Sequence, residues 1–372
     1  MSQSYFLPNP ILLPQKEKGS NCVSMTTWHT LKNNPHLWQK YFLREKIIKA
    51  IRLFFDEQEF HEVETPTLIG HPPAESYVEL FSTTLLDRKG RATPMYLSTS
   101  PEASLKKLLV AGIGNCYSIT KSFRNTETGS STHNPEFTIL EWYRVGATYT
   151  DIMKDCEKLI THLVRSHVSP LTSRLSLSYQ GNKIDLTPPW ERISVKDAFQ
   201  KWAHADLEKF FDIKIARKIC QDKEYTVNPK NTWEELYNQI FLNEIEHHLG
   251  KDKPVILYDY PFEMAALAAK KKEADPRYAE RFELYIGGLE IGDCCSELTD
   301  PTEQEKRFID QTKEISRLGK TAYRYDKEFI EALKTGLPPC AGVAVGIDRL
   351  LMLLTDTTNI NDTMLFPIKD LL

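Results

Sequence analysis

The 372-residue sequence contains no apolar run that approaches a membrane span, so no transmembrane helix is expected. It has no excess of one charge either. Forty-seven Lys and Arg face 51 Asp and Glu, a net of −4, and no strong basic field announces a nucleic-acid partner. Seven cysteines (22, 116, 156, 220, 294, 295 and 340) form an odd set without zinc-type spacing, which fits a reducing, cytoplasmic location. The amino terminus lacks the basic flank and clean apolar core of a signal peptide and is broken by Pro8, Pro10 and Pro14. Neither a Walker loop nor a Gly-x-Gly-x-x-Gly turn is present. What remains is the composition of a globular chain with ample core, 41% hydrophobic and 26% charged. Its one short basic run, Lys270-Lys271-Lys272, reads as a solvated face.

Residues 1–35, rich in Pro, Asn and Ser with little periodicity, read as a flexible extension, and Met25 is an alternative start. The folded domain is expected over 36–372. From Leu37 to Phe55, the residues Leu43, Ile47, Ile51, Phe54 and Phe55 fall at helical spacing, and a short strand follows from Phe60 to Pro66. Ser100-Pro101-Glu102 opens another helix, with Ser as cap, Pro at the first helical position and an acid in the first turn. Glu102 there complements the helix dipole or serves a ligand. Residues 150–250 read as a helical insertion, clearest at Asp151–His167 and Trp233–Leu249.

Three later stretches carry the chemistry. In Tyr117–Arg144 two alternating runs flank a polar, Gly-containing tip, as in an antiparallel hairpin. Phe137, Ile139, Glu141 and Tyr143 then share one face, either a ligand floor or an ordinary surface; periodicity does not choose. In Arg281–Asp300, Gly287-Gly288 is a two-residue hairpin turn that pairs Tyr285 with Glu290 and sets Glu283 diagonal to Glu290, roughly 7–8 Å away. Two such carboxylates repel unless a cation lies near. Magnesium carrying a nucleotide suits them, and two exposed edge glutamates are the alternative. Finally, Ala341–Arg349 is a glycine-punctuated strand running into a helix, with Arg349 at the junction, where a phosphate could lie.

Together these segments resemble a class II aminoacyl-tRNA synthetase catalytic domain. Val63–Pro66 with its preceding helix is similar to motif 1, Phe123-Arg124 through His133-Asn134-Pro135-Glu136-Phe137 to motif 2, and Gly346-Ile347-Asp348-Arg349 to motif 3. The stretches 100–102, 134–143, 281–292 and 296–300 are similar to the lysyl-tRNA synthetase subgroup, and the match covers roughly residues 40 to 370. The implied fold is α+β, an antiparallel sheet flanked by helices, here with no anticodon-binding OB domain expected before motif 1. The nearest resemblance is therefore to the lysyl-tRNA synthetase paralogue that modifies elongation factor P, where Ala344 matches this branch and authentic lysyl-tRNA synthetases have Gly.

That resemblance implies ATP-dependent activation of lysine or (R)-β-lysine and transfer to a lysine side chain of elongation factor P, with tRNA an unlikely acceptor. It assigns Arg124 and Arg349 as catalytic. Arg124 would grip the α-phosphate and the substrate carboxylate, while Arg349 and His133 would hold the terminal phosphates and Phe137 would stack on adenine. Asn125, Thr126, Asn134, Ile291 and Gly346 would complete the ATP pocket, with Glu283 and Glu290 carrying Mg2+. Glu102, Glu141, Glu297 and Tyr143 would take the substrate's ammonium groups, beside Ser100, Pro101, Asp293 and Ala344. The motif 1 helix, through its stripe of residues 43–55, would form a homodimer. The chain departs from the family at Arg124-Asn125-Thr126, where Arg-Asn-Glu is usual, and at Asp293-Cys294-Cys295, where Asn-Gly-Phe is usual. An Asp293 near a substrate carboxylate repels it unless protonated or paired with an amine, and Cys294-Cys295 reads as small apolar filling. Two other readings stand beside the ligase: a minimal lysyl-tRNA synthetase-like enzyme with tRNA or another acceptor, and a non-catalytic sensor of amino acid or ATP.

Overall fold

Two β-rich stretches, 116–145 around a polar tip and 278–296 around Gly287-Gly288, build the floor of the molecule. In the computed structural model, which describes residues 26–167, 175–265, 267–269 and 275–372, both stretches are hairpins in one eight-stranded sheet. Across that sheet the order is His61–Glu62, Cys116–Phe123, Glu136–Val145, Cys340–Gly346, Leu289–Ser296, Tyr278–Ile286, Val255–Pro261 and Glu191–Ser194. The interior pairs are antiparallel, and only the two edge pairs are parallel. Residues up to Met25, Cys22 and the lysine run 270–272 lie outside the described residues.

Each strand sorts its side chains to opposite faces. Leu140, Trp142, Phe282, Leu284, Cys294, Val343 and Val345 point into a core shared with the helices Trp38–Asp56, Tyr149–His167 and Ile347–Leu354. Their neighbours Ile139, Glu141, Tyr143, Arg281, Glu283, Asp293, Cys295, Gly342 and Ala344 face a cavity on the other side. Cys294 and Cys295 are thereby separated, one in the core and one on the cavity wall. Gly342 is required here, since a Cβ at that position would come within 2.3 Å of the Tyr143 ring.

Several expectations shift. The Phe60–Pro66 strand shrinks to His61–Glu62, prolonged by a single bond from Val63 N–H to Tyr117 O (2.8 Å), after which Pro66 offers no donor. Helix Glu102–Val110 starts one residue later than expected, with Pro101 as its cap residue, while the Ser100 hydroxyl accepts from Glu102 N–H at 3.3 Å. Part of the expected extension is ordered as helix Thr27–Asn33, whose first N–H donates to Asp370 at 2.6 Å. The 150–250 segment is less uniformly helical than its pattern suggests. It contributes a small sheet, Ser176–Tyr179 with Asn182–Asp185, and the edge strand Glu191–Ser194 before its helices gather around Phe199, Phe210 and Tyr237. The motif 1 stripe turns inward: Ile47, Ile51, Phe54 and Phe55 are buried in this chain's own core. The apolar groups left exposed on that helix are Trp38, Phe42 and Leu53.

Three chain segments that carry the motif residues are locked together by one buried carboxylate. Asp348 accepts from Arg44 at 2.5 Å and from Thr138 N–H at 2.6 Å, and Arg44 also reaches the Thr138 hydroxyl at 2.7 Å. The Trp38–Asp56 helix, the second hairpin strand and the strand-to-helix junction at Gly346 are thus held in one register.

Candidate active site

The polar face of the sheet floors a cavity of about 870 Å³, closed on its sides by the 72–79 loop, the Glu102–Val110 helix and the Pro301–Arg317 helix. That is room for a nucleotide and a small second substrate. Of the residues expected at the site, Ser100, Glu102, Arg124, His133, Asn134, Phe137, Glu141, Tyr143, Glu283, Glu290, Ile291, Asp293, Glu297, Ala344, Gly346 and Arg349 all line it. Pro101, Asn125 and Thr126 do not. At Asn125 the backbone pairs instead with Glu79 (2.8 Å), and Thr126 takes a left-handed φ of 67°, so the tip turns away from the floor. Asn134 reaches the wall, but its amide is spent on Glu136 O (2.6 Å) and Ile368 N–H (3.3 Å).

At one end Arg124 lies with its guanidinium 5.3 Å from the Phe137 ring centre and 3.9 Å from Glu127. Its Nε–H is buried without a partner among the described residues. An unmet charged donor in a cavity is suited to an anion. Arg349 is more committed. It donates to Thr132 O (3.2 Å), Glu290 O (2.9 Å), Glu290 Oε2 (3.2 Å) and His133 Nε2 (2.8 Å). Because a guanidinium only donates, His133 must present a bare Nε2 and carry its proton on Nδ1, which faces the Ser130 hydroxyl at 2.9 Å. Burial and the Arg349 charge both hold that imidazole below its usual pKa, so it is neutral.

The two glutamates of the second hairpin are not the simple diagonal pair the turn implies. A bulge at Ile291 adds one residue to the Leu289–Ser296 strand, so that Glu283 lies opposite Asp293 while Glu290 remains opposite Tyr285. Their repulsion is already eased by arginines. Glu283 accepts from Arg281 (2.7 Å) and from the Tyr285 hydroxyl (2.6 Å), and Glu290 is held by Arg349. Burial still pushes the Glu283 carboxyl up, with Glu290 and Asp293 adding to the effect. Arg281 also answers the repulsion foreseen at Asp293. It forks onto that carboxylate at 2.9 and 3.0 Å, donates to Met264 O at 2.7 Å, and stacks 4.5 Å from the Tyr260 ring centre.

The opposite end is an acid chamber. Glu141 is buried and accepts from the Tyr143 hydroxyl at 2.7 Å. Lys106, fully buried, forms ion pairs with both Glu102 and Glu297. Burial alone would lower the Lys106 pKa, but the two carboxylates more than reverse that. Glu141 is driven well above the usual carboxylate range by burial and then by Glu102. Glu297 rises for the same reasons although Lys106 opposes the shift. The chamber therefore holds more carboxylate than its single lysine neutralises.

Residues 24–370 match the family model of class II tRNA synthetases for D, K and N. The chain is 35% identical over 361 residues to a lysine–tRNA ligase of Moorella thermoacetica, covering 95% of this chain and 71% of that protein. It is 37% identical over 362 residues to the lysine–tRNA ligase of Carboxydothermus hydrogenoformans, at 96% and 71% coverage. It is also 37% identical over 334 residues to that of Bacillus subtilis, at 90% and 64%. The chain belongs to the class II tRNA synthetases.

Within this synthetase the donor set at the Arg124 and Arg349 end fits a magnesium ion only in part. No group of three or more His, Cys, Asp or Glu able to hold a metal occurs among the described residues. Two hard carboxylates, Glu283 and Glu290, do face the cavity. That suits a cation which keeps its waters and arrives on nucleotide phosphates rather than one seated in a protein cage.

Arg281 and Glu75 on the cavity wall, and Lys106 paired with its Glu102 and Glu297, are charges that the motifs did not point to. Lys106 carried a signal, a lysine between Leu105 and Leu109 on the buried stripe of its helix and four residues after Glu102. Arg281 carried one too, since strand alternation puts it on the face of Glu283. Glu75, in an irregular loop, carried none.

Proposed function

We propose that this synthetase activates lysine or (R)-β-lysine with ATP as an aminoacyl-adenylate and transfers it to a lysine side chain of elongation factor P, in the cytoplasm. What carries the reading is one cavity with an under-bonded Arg124 at one end and a surplus of buried carboxylates at the other. A substrate with a carboxylate to activate and two ammonium groups matches both ends.

In the first step the substrate carboxylate oxygen attacks the α-phosphorus of ATP in line and pyrophosphate leaves. Arg124 offers its free donors to the α-phosphate and the attacking carboxylate, where charge grows. Phe137, packed against Arg124, provides a flat face for adenine, and Arg349, held in place by Glu290 and His133, adds positive charge for the outer phosphates. Magnesium held by Glu283 and Glu290 would neutralise phosphate charge when bound. Glu102, Glu141, Glu297 and Tyr143 orient the ammonium groups. In the second step the acceptor amine, having lost a proton, attacks the adenylate carbonyl and AMP departs.

Transfer to tRNA is the second reading, favoured by the lysine–tRNA ligase names of the relatives. We also propose a homodimer through the motif 1 helix, now resting on exposed Trp38, Phe42 and Leu53 rather than the buried stripe; a monomeric mass at micromolar concentration would remove it. ATP–pyrophosphate exchange over an amino-acid panel tests activation. Adenylate-dependent labelling of purified elongation factor P against lysine tRNA then separates the acceptors: label on tRNA alone overturns the protein-ligase reading, and no exchange with any amine leaves a sensor.

A further inference from the structure

One acid on the cavity wall is used by neither the fold nor the mechanism above. Glu75 lies in the loop 72–79, and this loop is fixed from outside by the 311–326 stretch. Asp326 N–H donates to Pro72 O (3.2 Å), and the Tyr323 hydroxyl donates to Pro73 O (3.1 Å) while accepting from Glu75 N–H (3.1 Å). Gln311 accepts from Ser76 N–H (2.8 Å), and Lys320 donates to Ser76 O (2.6 Å). Glu79 closes the loop by accepting from Thr321 N–H (3.3 Å) and giving its carbonyl to Asn125 N–H (2.8 Å). Six residues outside it thus hold a short irregular segment, and all of them act on backbone or on Glu79. The Glu75 carboxylate itself takes no hydrogen bond or ion pair among the described residues. In this it differs from Glu102, Glu141, Glu283, Glu290, Asp293 and Glu297, all of which do.

Its surroundings define what it would bind. The charged groups that act on Glu75 are Arg124 on the phosphate side and Glu102 and Lys106 on the chamber side. It therefore stands at the boundary between the two ends of the cavity. A diamino acid lying with its carboxylate toward Arg124 and its chain toward Glu141 places its carboxylate-proximal amine at that boundary. Resting on the activation reading above, we propose that Glu75 receives this proximal ammonium and so sets the choice between α- and β-amino substrates. Moving an amine by one carbon shifts it along the wall while the distal amine stays in the chamber. A carboxylate on a fixed loop resolves that shift, whereas a mobile one would follow it. The half-buried Glu75 carboxyl is raised by burial to about 7, as expected of an acid awaiting a counter-charge.

The test is Glu75→Gln and Glu75→Asp in the full chain, with thermal unfolding to confirm the fold. ATP–pyrophosphate exchange is read with lysine, (R)-β-lysine and 6-aminohexanoate, which has no proximal amine, and binding of the three is read by calorimetry. Glu75→Gln is expected to raise KM and Kd for lysine and β-lysine by about ten- to a hundredfold, the range of a charged hydrogen bond. Binding of 6-aminohexanoate should stay within about twofold. Glu75→Asp, which withdraws the carboxylate by one carbon, is expected to change the β-lysine to lysine ratio. Equal losses for all three ligands, or no loss for any, overturn the assignment. If the wild type exchanges no amine yet binds lysine in a Glu75-dependent way, activation fails and the assignment stands; if it binds neither diamine, both fall.

Discussion

Lys106 supplies the buried positive charge paired with Glu102 and Glu297, and removing it has a pH-dependent consequence. Lys106→Met keeps the length and volume of the stem and deletes the charge. The side chains of Lys106 and Glu297 are 1% and 3% exposed, so the lost contact is a buried pair, for which breakage costs about 3–5 kcal/mol. That full cost applies only if the abandoned carboxylates must stay ionised. Burial already lifts Glu297 to about 8, even against the lysine, and holds Glu141 well above the usual carboxylate range. A carboxyl whose folded pKa is raised contributes stability that is complete below its unfolded value of about 4.5 and is lost as pH rises through the folded value. At pH 6 Glu141 and Glu297 of the variant stay protonated, with an expected loss of about 1 kcal/mol, the net value of a neutral hydrogen bond. At pH 9 the wild-type Lys106 still neutralises the cluster and the variant has nothing to do so, and the loss approaches about 3–5 kcal/mol. Urea unfolding of both proteins at pH 6 and pH 9 measures this difference. Saturating lysine should restore part of the pH 9 loss, because it brings cations to the same acids and binds only the folded state. An equal loss at both pH values, or none, would refute the chamber electrostatics.

Arg124→Ala should lower exchange by about a hundredfold or more. Its melting temperature should barely change, because its one ion pair among the described residues, with Glu127, spans 3.9 Å. Asp348→Ala should cost about 3–5 kcal/mol in denaturant unfolding, since it strands the Arg44 guanidinium and the Thr138 N–H together. Ala344→Gly removes one methyl from the wall opposite Asp293 and Glu141. It should move the β-lysine to lysine exchange ratio toward lysine by about tenfold or more, and an unchanged ratio would dissociate this position from substrate choice.

What was legible in the sequence was whatever a period or a cap encodes. Alternation in Tyr117–Arg144 placed the first hairpin, so that Glu141 and Tyr143 were correctly put on one side, and the Gly287-Gly288 turn placed the second. Helical spacing in 43–55 found the first helix and its buried stripe, but spacing alone does not tell a core face from a subunit interface. Ile47, Ile51, Phe54 and Phe55 turned out to meet this chain's own sheet and the Tyr149–His167 helix. Loops carry no period. The 72–79 segment takes its shape from Gln311, Lys320, Tyr323 and Asp326, more than two hundred residues away, and Glu75 could not be placed before those contacts were known.

Asp293 shows how one unread residue changes the meaning of another. Considered by itself it opposes a substrate carboxylate, and a regular ladder from Gly287-Gly288 would have set it one position out of register with Glu283. The bulge at Ile291 brings it directly across from Glu283, which would worsen the repulsion if nothing intervened. Arg281 is two residues before Glu283 on the same strand and therefore on the same face. It bonds both acids, forking onto Asp293, while Tyr260 and Met264 O fix its plane. The three charges sum to −1, the same as a lone Asp293, but the negative oxygens are tied to the guanidinium and set in place beside Glu290. The bulge and Arg281 are thus one device. The extra residue aligns two carboxylates that a shared, planar cation holds together, and the cavity presents an ordered ion cluster where the sequence by itself implied an acid that repels a carboxylate unless protonated or paired with an amine.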